Sequence, residues 1–132
     1  TPDESELWVI DSPTGNIVVY DAGSLAVLDT IPLFTGPGNG EESLVFDESG
    51  TTAYATSGAA SELLLYDVAT RSELTRIAAG VPTAELALDL DRGLVYIRSR
   101  ATDDEVVVID LSTSTVTRRI AFTAPRALAI YR

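Results

Sequence analysis

Val106-Val-Val-Ile-Asp110 is a short apolar run closed by an aspartate, and it has two relatives, Ile17-Val-Val-Tyr-Asp21 and Leu63-Leu-Leu-Tyr-Asp67. The closing Asp recurs at spacings of 46 and 43 residues. Self-similarity on that scale marks a repeat architecture. The flanks repeat as well. An Ile stands ten residues after each Asp (Ile31, Ile77, Ile120), and an aromatic precedes it by 13, 13 and 14 residues (Trp8, Tyr54, Tyr96).

Within each unit the pattern is strand, turn, strand. Glu6–Ile10 is a short strand, ended by the turn-rich Asp11-Ser-Pro-Thr-Gly-Asn16. Ile17–Tyr20 is a continuous apolar run, the pattern of a strand buried on both faces. Asp21-Ala-Gly-Ser24 turns the chain into Val27–Ile31, and the Gly-rich Phe34–Glu42 leads to Leu44–Phe46. The order then repeats through Ala53–Thr56, Leu63–Tyr66, Leu74–Ile77 and Leu86–Leu88, and again through Val95–Ile97, Val106–Ile109, Val116–Ile120 and Leu128–Ile130. Arg71–Ile77 has the residues for one helical turn, but its counterparts in the other units are rich in Val and Thr, which argues for strand. No segment carries a sustained helical stripe with caps.

Four short strands in about 42 to 46 residues make one blade of a β-propeller. The chain is therefore read as all-β: three four-stranded antiparallel blades of an incomplete ring. A sandwich or closed barrel would not require the same four-strand order three times. The 132 residues form a single propeller segment with units at about 1–41, 42–83 and 84–123, and 124–132 as an innermost strand completing a blade. In this phase the chain starts on the second strand of a blade and ends on an innermost one. The C-terminal Ala127–Arg132 followed by Thr1–Trp8 matches the joint Leu44–Tyr54. Rings have roughly four to eight blades or more. Three blades would leave apolar faces and strand edges uncovered, so further blades are expected, from the rest of a longer chain or from assembly of two or three copies.

The bulk properties bound the function. An apolar content of 45% and a mean hydropathy of +0.18 exclude a disordered tail. The apolar runs are too short to span a membrane as a helix. The net charge of −11, spread along the chain, repels phosphate backbones, so nucleic acid is not an expected partner. Such an acidic surface suits an exported protein, periplasmic, on the cell surface or extracellular, in a bacterium or archaeon. With no Cys and no His, the chain cannot supply thiol chemistry, a Ser/His/Asp triad or an ordinary zinc site. Gly36-Pro-Gly-Asn-Gly40 lacks the Lys and the following helix of a phosphate-binding loop.

The remaining candidates are surface features. Asp89-Leu-Asp-Arg-Gly93 has the carboxylate spacing that opens a calcium loop but none of the later ligands, so it reads as a hairpin turn. Arg98–Glu105 is the densest charge cluster and reads as a surface loop with internal pairing; Arg98, Arg100, Asp103 and Asp104 are its candidate contact residues. It shares a ring face with Ser12–Asn16, Phe34–Glu42 and Gly58–Ser61, and such loop faces commonly bind partners. Glu42, Glu85 and Arg126 precede innermost strands and would ring the channel mouth. Asp21, Asp67 and Asp110 are read as turn-fixing acceptors of N–H groups two or three residues on. Trp8, Tyr54 and Tyr96 are read as blade packing.

The ordered pattern of Leu94-Val-Tyr-Ile97, Val106–Asp110 and Val116–Ile120, with Gly80-Val-Pro82 at the entry, resembles the YVTN β-propeller repeat over essentially the whole chain. The first unit departs from it in a longer entry loop with Gly36-Pro37-Gly38, and the second in Ala53-Tyr-Ala-Thr56, where bulkier residues are usual. The resemblance implies kinship with surface-layer proteins, lactonase-like enzymes and quinoprotein-type propellers. It carries over no catalytic residue and no cofactor. The expected function is a non-enzymatic scaffold or interaction module binding a protein or small ligand through its loop face. The alternative is part of an enzymatic or redox propeller with its catalytic residues on other blades.

Overall fold

The computed structural model describes residues 1–35, 42–100, 105–122 and 129. Their regular structure is all strand. Blade 1 contains β1 (Glu6–Asp11), β2 (Asn16–Asp21) and β3 (Val27–Pro32). Blade 2 contains β4 (Leu44–Phe46), β5 (Thr52–Ser57), β6 (Glu62–Asp67) and β7 (Ser72–Ala78). Blade 3 contains β8 (Thr83–Asp89), β9 (Leu94–Ser99), β10 (Glu105–Asp110) and β11 (Thr115–Ala121). Each sheet is an antiparallel meander in chain order, β1-β2-β3, β4-β5-β6-β7 and β8-β9-β10-β11. Of the expected innermost strand Leu128–Ile130 only Ala129 is among the described residues; residues 123–128 and 130–132 lie outside them, as do residues 36–41 of the entry loop.

The repeated Asp fixes the repeated turn. Asp21 Oδ1 accepts the N–H groups of Gly23 (3.1 Å) and Ser24 (2.7 Å). Asp67 Oδ1 accepts Thr70 N–H at 2.7 Å, and Asp110 Oδ1 accepts Ser112 N–H at 2.8 Å. The hydroxyls of Ser24, Thr70 and Ser112 donate to the same oxygens. These bonds hold all three carboxyls below the usual carboxylate range, the Ser24 N–H leading at Asp21 and the side-chain hydroxyls leading at Asp67 and Asp110. The clamp also holds strain. Four residues after each Asp, Leu25, Arg71 and Ser114 have φ of 58°, 54° and 53°, a left-handed conformation unfavourable for such side chains.

A second device recurs beside it. Pairing between the third and outermost strands slips once per blade, at Val19/Tyr20, Leu65/Tyr66 and Val108/Ile109. The slip leaves Leu28, Leu74 and Thr117 as the extra residue of a β-bulge in the outermost strand.

Blades pack through two apolar layers. Between blades 1 and 2 lie Trp8, Ile17, Val19, Ile31 and Leu33 against Ala53, Ala55, Leu64 and Tyr66. Between blades 2 and 3 lie Tyr54, Leu63, Ile77 and Ala79 against Leu86, Val95, Ile97, Val107 and Ile109. The small residues of Ala53–Thr56, anomalous as sequence, acquire a reason here. Trp8 of the preceding blade fills the space that their missing side chains leave, and its ring meets Phe46 edge-on at 5.5 Å and 83°. The expectation that β2 is buried on both faces needs correcting. Ile17 and Val19 are buried, but Val18 and Tyr20 are only half-buried, because no blade among the described residues covers that face of blade 1.

Candidate functional site

Alternating connections divide the described residues between two ends of the molecule. The turns 22–26, 47–51, 68–71, 90–93 and 111–114 share one end, the turn face. The connections 12–15, 58–61 and 79–82, with 33–35, 42–43 and Arg100, share the other, the loop face.

The sequence-derived candidates sit on or near the loop face, and only some of them meet. Glu85 in β8 and Arg98 in β9 are brought together, with Arg98 Nε 4.0 Å from Glu85 Oε2. Glu42 is held elsewhere: its Oε2 accepts the Ser12 hydroxyl at 2.7 Å, tying the entry of blade 2 to a hairpin of blade 1. Arg100 is exposed, and its backbone N–H donates to Pro82 O at 2.9 Å. Asp103, Asp104 and Arg126 lie outside the described residues. The cluster Arg98–Glu105 was expected to pair internally. Its two described ends, which belong to the strands β9 and β10, reach across strands, Arg98 to Glu85 and Glu105 to Arg119 at 2.7 Å; pairing within the loop falls on residues outside the described ones.

Two hollows were not anticipated. A cavity of 340 Å³ opens on the loop face between blades 1 and 2, walled by Pro32, Leu33, Phe34, Ala59, Ala60 and the Glu62–Arg76 pair. Arg76 Nη2 is 2.7 Å from Glu73 and Nη1 is 3.0 Å from Glu62; the Glu73 bond, above all, raises its pKa further above the ordinary value. The second cavity, 560 Å³, lies on the turn face between the innermost strands β4 and β8, with Phe46, Leu88 and Leu90 as floor and Asp47, Glu48 and Asp91 at the rim. Asp47 is pushed up by burial, but the N–H of Thr52 and hydroxyls of Ser49 and Thr51 outweigh this and leave it below the usual range. Both hollows join residues of two units, so no single motif announces them. Asp89–Gly93 is the hairpin turn that its composition predicts: Gly93 is left-handed at φ 66°, and Arg92 Nη1 lies 3.5 Å from Asp89 Oδ2. Among the described residues no three potential metal-ligating side chains converge.

Three solved structures place the fold. Hydrazine synthase of Kuenenia stuttgartiensis matches at a TM-score of 0.79 and 16% identity, over 92% of this chain and 35% of that one. The dihydro-heme d1 dehydrogenase NirN, in complex with DHE, matches at 0.70 and 19%, over 91% and 24%. The WD40 repeats of RRP9 match at 0.73 and 14%, over 91% and 36%. At such identities the likeness shows the β-propeller fold alone, and the chain spans about a third or less of each of these structures. No protein-family model and no curated protein matches the chain.

Proposed function

We propose that this chain is a non-enzymatic β-propeller scaffold or interaction module of the YVTN type, exported from the cell, that binds a protein through its loop face. One observation carries the reading: among the described residues, the recurrent aspartates and the charged pairs at the blade joints are committed to architecture. Asp21, Asp67 and Asp110 clamp turns, Glu6 and Arg71 join blades 1 and 2, and Arg76 is locked between two carboxylates. The loop face keeps an exposed Arg100 beside the Glu85–Arg98 pair and an apolar slot around Phe34, a mixture suited to protein contact. Peptides selected for binding to the immobilised chain test this. Binding lost in Arg98→Glu/Arg100→Glu and kept when Glu48 and Asp91 are reversed supports it. The opposite pattern, or saturable turnover of a lactone by the chain alone, overturns it.

A second reading has its own support. Hydrazine synthase and NirN are enzymes by name, and this chain matches only 35% and 24% of their lengths. Chemistry would then reside on blades beyond these three, with the present segment as wall and support.

A further inference from the structure

The two end faces of the molecule repeat, position for position, surfaces that are buried inside it. Leu7 and Val9 of β1 correspond to Ala53 and Ala55 of β5 and to Val95 and Ile97 of β9. The four internal residues are fully buried, whereas Leu7 is 47% and Val9 39% exposed. At the other end, Phe122 corresponds to Leu33 and Ala79. Those two are buried, and Phe122 is 51% exposed. Beside it, Leu94, Tyr96, Val108 and Ile120 line an open cavity of 360 Å³, on the face that Tyr54 uses to meet blade 3.

The partner for these faces can be read from paired positions across each joint. At the joint of blades 1 and 2, Glu6, two residues before the aromatic, bonds Arg71, four residues after the Asp of the next blade. At the joint of blades 2 and 3 the same two positions hold Thr52 and Ser114, a hydroxyl with a hydroxyl. The unused members are Leu94 of blade 3 and Leu25 of blade 1, an apolar residue with an apolar residue. Leu25 is 65% exposed in a left-handed backbone, so no packing among the described residues accounts for it. A second pair agrees. Tyr66, just before its Asp, donates its hydroxyl to Pro32 O of the preceding blade at 3.1 Å. Blade 1 carries Tyr20 at that position, and the carbonyl corresponding to Pro32 is Ala121 in blade 3. Blade 3 has Ile109 at that position, so the joint of blades 2 and 3 makes no such bond.

From these matches we infer that the open face of blade 3 docks on blade 1 of a second copy of this chain, head to tail. Leu94 meets the second copy's Leu25, Tyr96 packs on its Leu7 and Val9, and the Ala121 carbonyl accepts from its Tyr20. Two copies joined twice in this way give six blades, within the size range of closed rings. The inference rests on reading the chain as part of a ring.

Native mass spectrometry of the wild-type chain should show a discrete closed assembly of two copies, or of three through the same contact. Leu25→Arg or Leu94→Glu alone should weaken association at least about tenfold, and the double variant should recover it by recreating the Arg71–Glu6 arrangement at the new joint. Tyr20→Phe, which leaves the fold undisturbed, should weaken it severalfold. Assembly indifferent to all of these substitutions overturns the docking. A single-copy species that binds an apolar dye at its end faces also overturns it, with further blades of a longer chain as the partner. A single-copy species whose end faces are protected from amide exchange overturns the ring reading itself.

Discussion

The two joints inside this molecule fill similar slots differently. Between blades 1 and 2 the volume is divided unevenly, a Trp against two alanines, and the rim is charged: Glu6 accepts from both Trp8 Nε1 (2.8 Å) and Arg71. Between blades 2 and 3 it is shared among residues of middling size, Tyr54 and Leu63 against Val95, Ile97 and Val107. Polar ties there run to backbone instead: Arg119 Nη2 donates to Ala79 O at 2.9 Å and Thr56 Oγ1 to Ala84 O at 2.7 Å. A joint of fixed width constrains the sum of facing volumes and leaves each residue free.

That comparison is open to attack at several strengths. The largest effect is expected from Trp8→Ala, a loss of about 3 to 5 kcal/mol, since neither facing alanine can lean into the cavity. Tyr54→Ala should cost less, because longer aliphatic neighbours can partly refill its site. Equal denaturant midpoints for the two variants would contradict the uneven division. Next, Ala55→Ile should overpack the first joint by about 1 to 3 kcal/mol. Combined with Trp8→Val it should cost less than the two changes added separately, and simple additivity in the cycle would remove the shared-volume account. A smaller effect belongs to the charged rim. Glu6→Gln should destabilise by about 1 kcal/mol at low salt and less at high salt. Arg71 and Glu6 are both mostly covered, so some loss should persist under screening.

The smallest effect, and the one shared by all blades, follows from pH. Asp21, Asp67 and Asp110 are held below the usual carboxylate range when folded, so their contribution is present above the pKa of the unfolded chain. It is lost as pH falls through the folded values. Thermal melts should therefore drop below about pH 4 in the wild type. They should drop less steeply in Asp110→Asn, and an unchanged slope would show that the clamp does not couple to folding.

Much of this was legible in the chain because its causes are local. Strand, turn and strand follow from runs such as Val106–Ile109 and from the Asp that ends them, whose acceptor role needs only residues two or three away. The left-handed residues four places on were hidden, since Leu25, Arg71 and Ser114 share no chemistry that signals such a backbone. The packing partners were hidden for another reason. Trp8 and Ala53 lie 45 residues apart, and only the superposition of two blades reveals that one is large because the other is small. In the candidate site, Glu85 and Arg98 could be named but not paired, because the slip in register between Thr83 and Leu86 decides which residue of β8 lies opposite Arg98. Glu42 was assigned to the channel, and its hydrogen bond to Ser12 comes from a hairpin 30 residues away.

The bulges in β3, β7 and β11 bear on how this protein behaves in a crowded solution. Each interrupts the row of backbone donors and acceptors on the outer edge of its sheet, so a stray strand cannot zip along the perimeter. Stickiness is thereby confined to the broad faces at the two ends of the wedge. Addition of material is steered around a circle, where it terminates, and away from the radial direction, in which stacking could continue without limit.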